Sequence, residues 1–123
     1  MTILVIDTSG KQAQVAVVQD EDTVAHRTWE NTPQVGPQLL EHIEAILQES
    51  NIAWDQVDRI AVHRGPRKEK LFFSGLRTGI TTAILLASAK GKDVVGVSGE
   101  SLEEMIAALS EAVPETIISP QYE

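Results

Sequence analysis

The sequence contains no cysteine. Disulfide scaffolds, thiolate nucleophiles and cysteine-ligated metal centres are therefore excluded, and the composition fits a reducing compartment. No apolar run approaches the roughly 20 residues that a membrane-spanning helix needs. The apolar start, Thr2-Ile3-Leu4-Val5, has no basic segment before it and does not read as a signal peptide. Together these absences lead to the expectation of a soluble, cytoplasmic protein with no membrane attachment.

Positive charge is scarce as well. Ten Lys and Arg stand against 18 Asp and Glu, for a formal net charge of -8, which disfavours nonspecific binding to nucleic acid. The distribution is uneven. Arg64, Arg67, Lys68, Lys70 and Arg77 fall within one short segment with only Glu69 to oppose them. A basic loop on an acidic body suits a phosphate or an acidic partner surface, and it equally suits plain solvation.

Several catalytic patterns are missing. There is no Walker loop, no nucleophile elbow and no second phosphate loop. His26, His42 and His63 sit on three different elements without an i, i+4 pair, so a zinc site is not expected; they read as surface or loop residues. A two-metal nuclease needs converging carboxylates. Asp7, Glu41 and Glu44 could supply some, but His63 and Arg64 place cationic groups where another would be required. No catalytic residue and no metal ligand is assigned.

What is present reads as one α/β domain, as the 123-residue length also indicates. Thr2 to Thr8 is a continuous apolar run ending in polar residues, the pattern of a central strand buried on both faces. Segments 12–19 and 23–30 follow as strands after short turns, the second more polar and so nearer an edge. A helix opens at Pro37, with Leu39, Leu40, Ile43, Ile46 and Leu47 on one face, and ends at Asn51. A strand over 58–63, a helix capped by Ser74 and ending near Lys90-Gly91, a strand over 93–98 and a helix over 100–112 capped by Ser98 complete the order βββαβαβα. This predicts a mixed five-stranded sheet with helices on its faces. Residues 1–113 form the lobe. Residues 114–123 form a C-terminal tail, its last four residues loose. Trp29 and Trp54 read as packing residues.

The helix after the basic loop carries Gly75, Gly79, Ala83 and Ala87 at four-residue spacing, one ridge of small side chains. Glycine weakens a helix by about 1 kcal/mol relative to alanine, so the ridge implies close approach by another backbone. Leu76, Ile80 and Ile84 form the neighbouring apolar row. Either the helix lies at the centre of its own core, or it also packs on a partner. At the other end of the chain, Asp7, Thr8 and Ser9 close the first strand in a polar turn. Such a turn can face phosphates or simply end a strand.

The element order is that of a ribonuclease H-like or actin-like ATPase lobe. Ile6-Asp7-Thr8-Ser9, Ile60-Ala61-Val62 with Gly65-Pro66, Phe73-Ser74-Gly75-Leu76-Arg77, and Val95-Gly96-Val97-Ser98 followed by Ser101-Leu102-Glu103 resemble the bacterial TsaB family, also called YeaZ. The resemblance covers the family's first lobe only. It departs from the family pattern at Arg67-Lys68-Glu69-Lys70-Leu71-Phe72, where a short glycine turn is replaced by a longer basic loop.

The resemblance implies a noncatalytic scaffold for a TsaD-like transferase in the synthesis of tRNA N6-threonylcarbamoyladenosine. It implies a vestigial cofactor turn at Asp7, Thr8 and Ser9, with no cofactor bound by this chain alone, ATP and magnesium belonging to the complex, and tRNA met only through it. The partner surface would be Leu39, Ile43 and Ile46 with Gly75, Leu76, Gly79, Ile80, Ala83, Ile84 and Ala87, the same surface forming a homodimer when the partner is absent. Arg67, Lys68 and Lys70 would form an exposed, mobile loop at its rim. The alternatives are an ATP-binding actin-like regulator or enzyme, motivated by Asp7, Thr8 and Ser9, and a homodimeric interaction module with another client.

Overall fold

The computed structural model describes residues 1–123. Five strands form one sheet in the order β3-β2-β1-β4-β5, with β1 at Thr2–Asp7, β2 at Gln12–Gln19, β3 at Asp22–Glu30, β4 at Arg59–His63 and β5 at Asp93–Val97. The first three are an antiparallel meander, while β4 pairs with β1, and β5 with β4, in parallel. All six residues of β1 are buried, as its unbroken apolar run requires, and the more polar β3 takes an edge.

Helices α1 (Val35–Glu49) and α2 (Phe73–Lys90) cover one face. There Leu39, Ile43 and Ile46 of α1 and Leu76, Ile80, Ala83 and Ala87 of α2 close on Leu4, Ile6, Val15, Val17, Ile60 and Val62. The short helix α3 (Leu102–Ala108) covers the other face, packing Leu102 and Met105 on Ile3, Val5, Ala61 and Val95. The mixed sheet and the order βββαβαβα are as expected.

Some boundaries differ for local reasons. Helix α1 starts at Val35, so Pro37 sits inside the first turn, where a missing N–H removes no helical hydrogen bond. Helix α2 starts at Phe73 with no side-chain cap, and Ser74 is an exposed residue of its first turn. The cap of α3 is Ser101, whose hydroxyl accepts from the Glu104 N–H at 3.2 Å, and not Ser98. The C-terminal segment is held rather than loose. Ile118 is buried in the α1/α2 core, the Gln121 N–H donates to Arg64 O at 2.7 Å, and Tyr122 meets Phe73 edge-on.

The small-residue ridge of α2 faces inward, which corrects the reading of it as a partner surface. Leu39, Ile43, Ile46, Gly75, Leu76, Gly79, Ile80, Ala83 and Ala87 are all buried within the chain; Ile84 alone is partly exposed. The backbone that comes close is the chain's own β1 turn. A Cβ at Gly75 would collide with Thr8 O, and one at Gly79 with Thr8 Oγ1. The faces that α1 and α2 leave open carry Leu40, Glu41 and Glu44, and Phe73, Arg77, Thr81 and Leu85.

Candidate functional site

In an open sheet with parallel strands, ligands bind outside the carboxyl ends of those strands. Here that edge brings together the turn after β1, the loop after β4 and the loop after β5. The β1 turn is built around the Asp7 carboxylate, whose side chain is only 3% exposed. Its Oδ1 accepts from the Ser9 N–H at 2.9 Å and the Ser9 hydroxyl at 2.5 Å, and its Oδ2 accepts from Gln14 Nε2 at 2.9 Å. Thr8 points the other way and donates its hydroxyl to Gly75 O at 2.5 Å, tying the turn to α2.

Asn31, in the loop between β3 and α1, holds the turn from outside. Its Nδ2 donates to Thr8 O at 2.9 Å and Gly10 O at 2.7 Å. Of the three residues expected to form a vestigial cofactor turn, Asp7 and Ser9 share a hydrogen-bond network, while Thr8 belongs to the packing of α2.

The basic loop lies across this turn, which corrects its assignment to an exposed rim. The Phe72 N–H donates to Ser9 O at 2.8 Å. Arg67 folds inward: Nη1 donates to Ser9 Oγ at 3.2 Å and lies 3.9 Å from Asp7 Oδ2. Its Nε is buried without a partner. Lys68 and Lys70 are exposed as expected.

The far side of the loop is anchored by Glu100, another residue without a sequence signal. Its carboxylate accepts from the backbone N–H of Lys68 at 2.8 Å and of Glu69 at 3.4 Å. The Lys68 amide, and after it the Glu69 amide, holds the Glu100 carboxyl below the usual glutamate range. What remains open beside the turn is a polar cleft of about 630 Å³, lined by Glu30, Glu69 and Glu100 together with Lys11 and Lys70. No group of three His, Asp or Glu side chains is placed to hold a metal ion.

His63 corrects its reading as a surface or loop residue. It is buried at the end of β4, accepts at Nδ1 from the Gly65 N–H at 3.0 Å and donates from Nε2 to Gly99 O at 2.8 Å. It joins the loops after β4 and β5. His42 is stacked on Trp29 with ring centroids 3.9 Å apart and accepts from Arg27 Nε at 3.0 Å, joining α1 to β3. Trp54 lies in a short 3-10 turn beneath the Lys90 ammonium. No helix is long and apolar enough to cross a membrane.

A comparison with curated proteins finds no match. Among solved structures the fold resembles YeaZ from Pseudomonas aeruginosa at 30% sequence identity and a TM-score of 0.69, over 79% of this chain and 43% of that one. It also resembles Thermus thermophilus RuvC at 14% identity and a TM-score of 0.56, covering 80% and 64% of the two chains. A third structure, the Lmo2764 protein of Listeria monocytogenes, matches at 22% identity and a TM-score of 0.52, covering 80% and 35%. RuvC and Lmo2764 speak to the fold alone, and place it among ribonuclease H-like and actin-like ATPase lobes. The chain spans less than half the length of the YeaZ structure it matches. The sequence matches the family described as TsaD, tRNA N6-adenosine threonylcarbamoyltransferase, over residues 36–118. The chain therefore belongs to the TsaD family, and within it is YeaZ-like, corresponding to a first lobe.

Proposed function

We propose that this protein is a noncatalytic accessory subunit that binds a TsaD-like transferase acting on tRNA adenosine. The single observation that carries the reading is the family match over residues 36–118, from α1 through α3, joined to a YeaZ-like fold. The site geometry agrees with it. The one buried carboxylate is engaged in holding its own turn. ATP and magnesium would enter with the partner, and tRNA would be met through the complex.

The partner contact is assigned to the outer rows of α1 and α2, with Leu40 and Leu85 as apolar anchors between Glu41, Glu44 and Arg77. These are large side chains left exposed on two adjoining helices, whereas the ridge from Gly75 to Ala87 acts indirectly by seating α2. Co-purification with the cognate TsaD-like protein tests the reading. Association at micromolar concentration supports it, and a clean failure of two folded proteins to associate at that concentration counts against it.

A further inference from the structure

Asp7 is a buried carboxylate at the carboxyl end of the central strand, the edge at which this kind of sheet binds ligands. A buried charge needs a compensating partner. The only cation within ion-pairing distance is Arg67, whose side chain is 13% exposed. Its guanidinium lies against Gly10, so closely that a Cβ there would stand 2.7 Å from Arg67 Cζ. The loop that delivers Arg67 is fixed at both ends, by the Phe72 N–H on Ser9 O and by the Lys68 and Glu69 amides on Glu100.

We propose that Arg67 is an internal cation that takes the place of an external one at the Asp7 turn, and that residues 67–72 form a strap, latched by Glu100, which keeps this turn closed to divalent metal ions. Hard divalent cations bind through carboxylate and carbonyl oxygens. Without the guanidinium, Asp7 would be an uncompensated carboxylate opening on a cleft that Glu30, Glu69 and Glu100 line together with Lys11 and Lys70. With it, the same carboxylate is already neutralised. The strap would thus be a lock built from the chain's own sequence. The inference rests on the geometry of the turn and is independent of the proposed partner.

The test is Mn2+ binding, followed by the loss of the free Mn2+ resonance in electron paramagnetic spectra. The wild-type chain is expected to show no site that Asp7→Asn removes. Arg67→Ala is expected to bind Mn2+ at least about tenfold more tightly than wild type, in a manner that a second change, Asp7→Asn, abolishes. Arg67→Lys, which keeps a cation on the strap, should gain much less. A wild-type site sensitive to Asp7→Asn would overturn the proposal, as would a folded Arg67→Ala chain that binds no more tightly than wild type. If circular dichroism shows that Arg67→Ala does not fold, Arg67→Gln, which keeps most of the side chain and removes its charge, takes its place. It is expected to raise Mn2+ affinity in the same direction, and an unchanged affinity in the folded variant would overturn the lock.

Discussion

At the scale of single residues, glycine and asparagine carry more of this fold than their lack of chemistry suggests. Gly79 was legible as a place of close approach, but the sequence could not say what approached. The answer is Thr8, 71 positions earlier in the chain. Gly79→Leu is therefore expected to destabilise the isolated monomer by about 1–3 kcal/mol through overpacking, measured by denaturant unfolding; an unchanged midpoint would contradict the inward-facing ridge. Asn31→Ala removes two buried donors from Thr8 O and Gly10 O and should cost about 1–3 kcal/mol, although Asn31 lies far from every apolar cluster in sequence pattern.

His42 gives a pH dependence whose sign is fixed. Burial, and after it the Arg27 charge, lowers its folded pKa below the ordinary 6.5. The unfolded chain thus takes up the proton first, and the stability tied to neutral His42 is complete above that value and declines as pH falls through the lowered one. Denaturation midpoints at about pH 7.5 and 5.5 should converge more for His42→Gln than for wild type. Equal slopes would remove His42 as the cause.

At the scale of elements, the strands were the most legible because period and turn chemistry agree along the first half of the chain. The unbroken run of β1 required burial on both faces, and the polar β3 required an edge. The helices were legible as amphipathic stripes, but their partners were not. One apolar stripe serves a sheet or a second protein equally well, and only the topology shows that Leu39, Ile43 and Ile46 have no surface to offer.

The basic loop was misplaced for a related reason. Charge composition favours solvent, whereas Arg67 is drawn inward by a buried carboxylate that lies 60 positions earlier in the sequence. Glu100 escaped notice because backbone amides, which have no sequence signature, are its partners. With the ridge internal, the proposed partner contact falls to the outer rows of α1 and α2. Leu85 is 63% exposed, so Leu85→Asp should leave the unfolding midpoint within about 0.5 kcal/mol of wild type while weakening partner binding by tenfold or more. Loss of the fold in this variant would mean that Leu85 is a core residue after all.

At the scale of the whole molecule, a net charge of -8 and an acidic outer face on α1 disfavour direct binding to nucleic acid, in keeping with the proposed accessory role. Lys68 and Lys70 remain exposed near the N-terminal end of α2. Replacing both with serine is expected to slow association with an acidic partner and flatten its salt dependence without changing the fold, read by stopped-flow kinetics at two ionic strengths; an unchanged salt slope would make them bystanders. A two-fold homodimer, expected when the ridge was taken as free, has no ridge surface to form on. The most direct measurement is calorimetric titration of this chain into the cognate TsaD-like protein, with wild type and Leu85→Asp side by side. The proposed accessory role predicts saturable binding at micromolar affinity or better for wild type and at least tenfold weaker binding for the variant. Two folded proteins that give no heat and no co-elution at high micromolar concentration would contradict it.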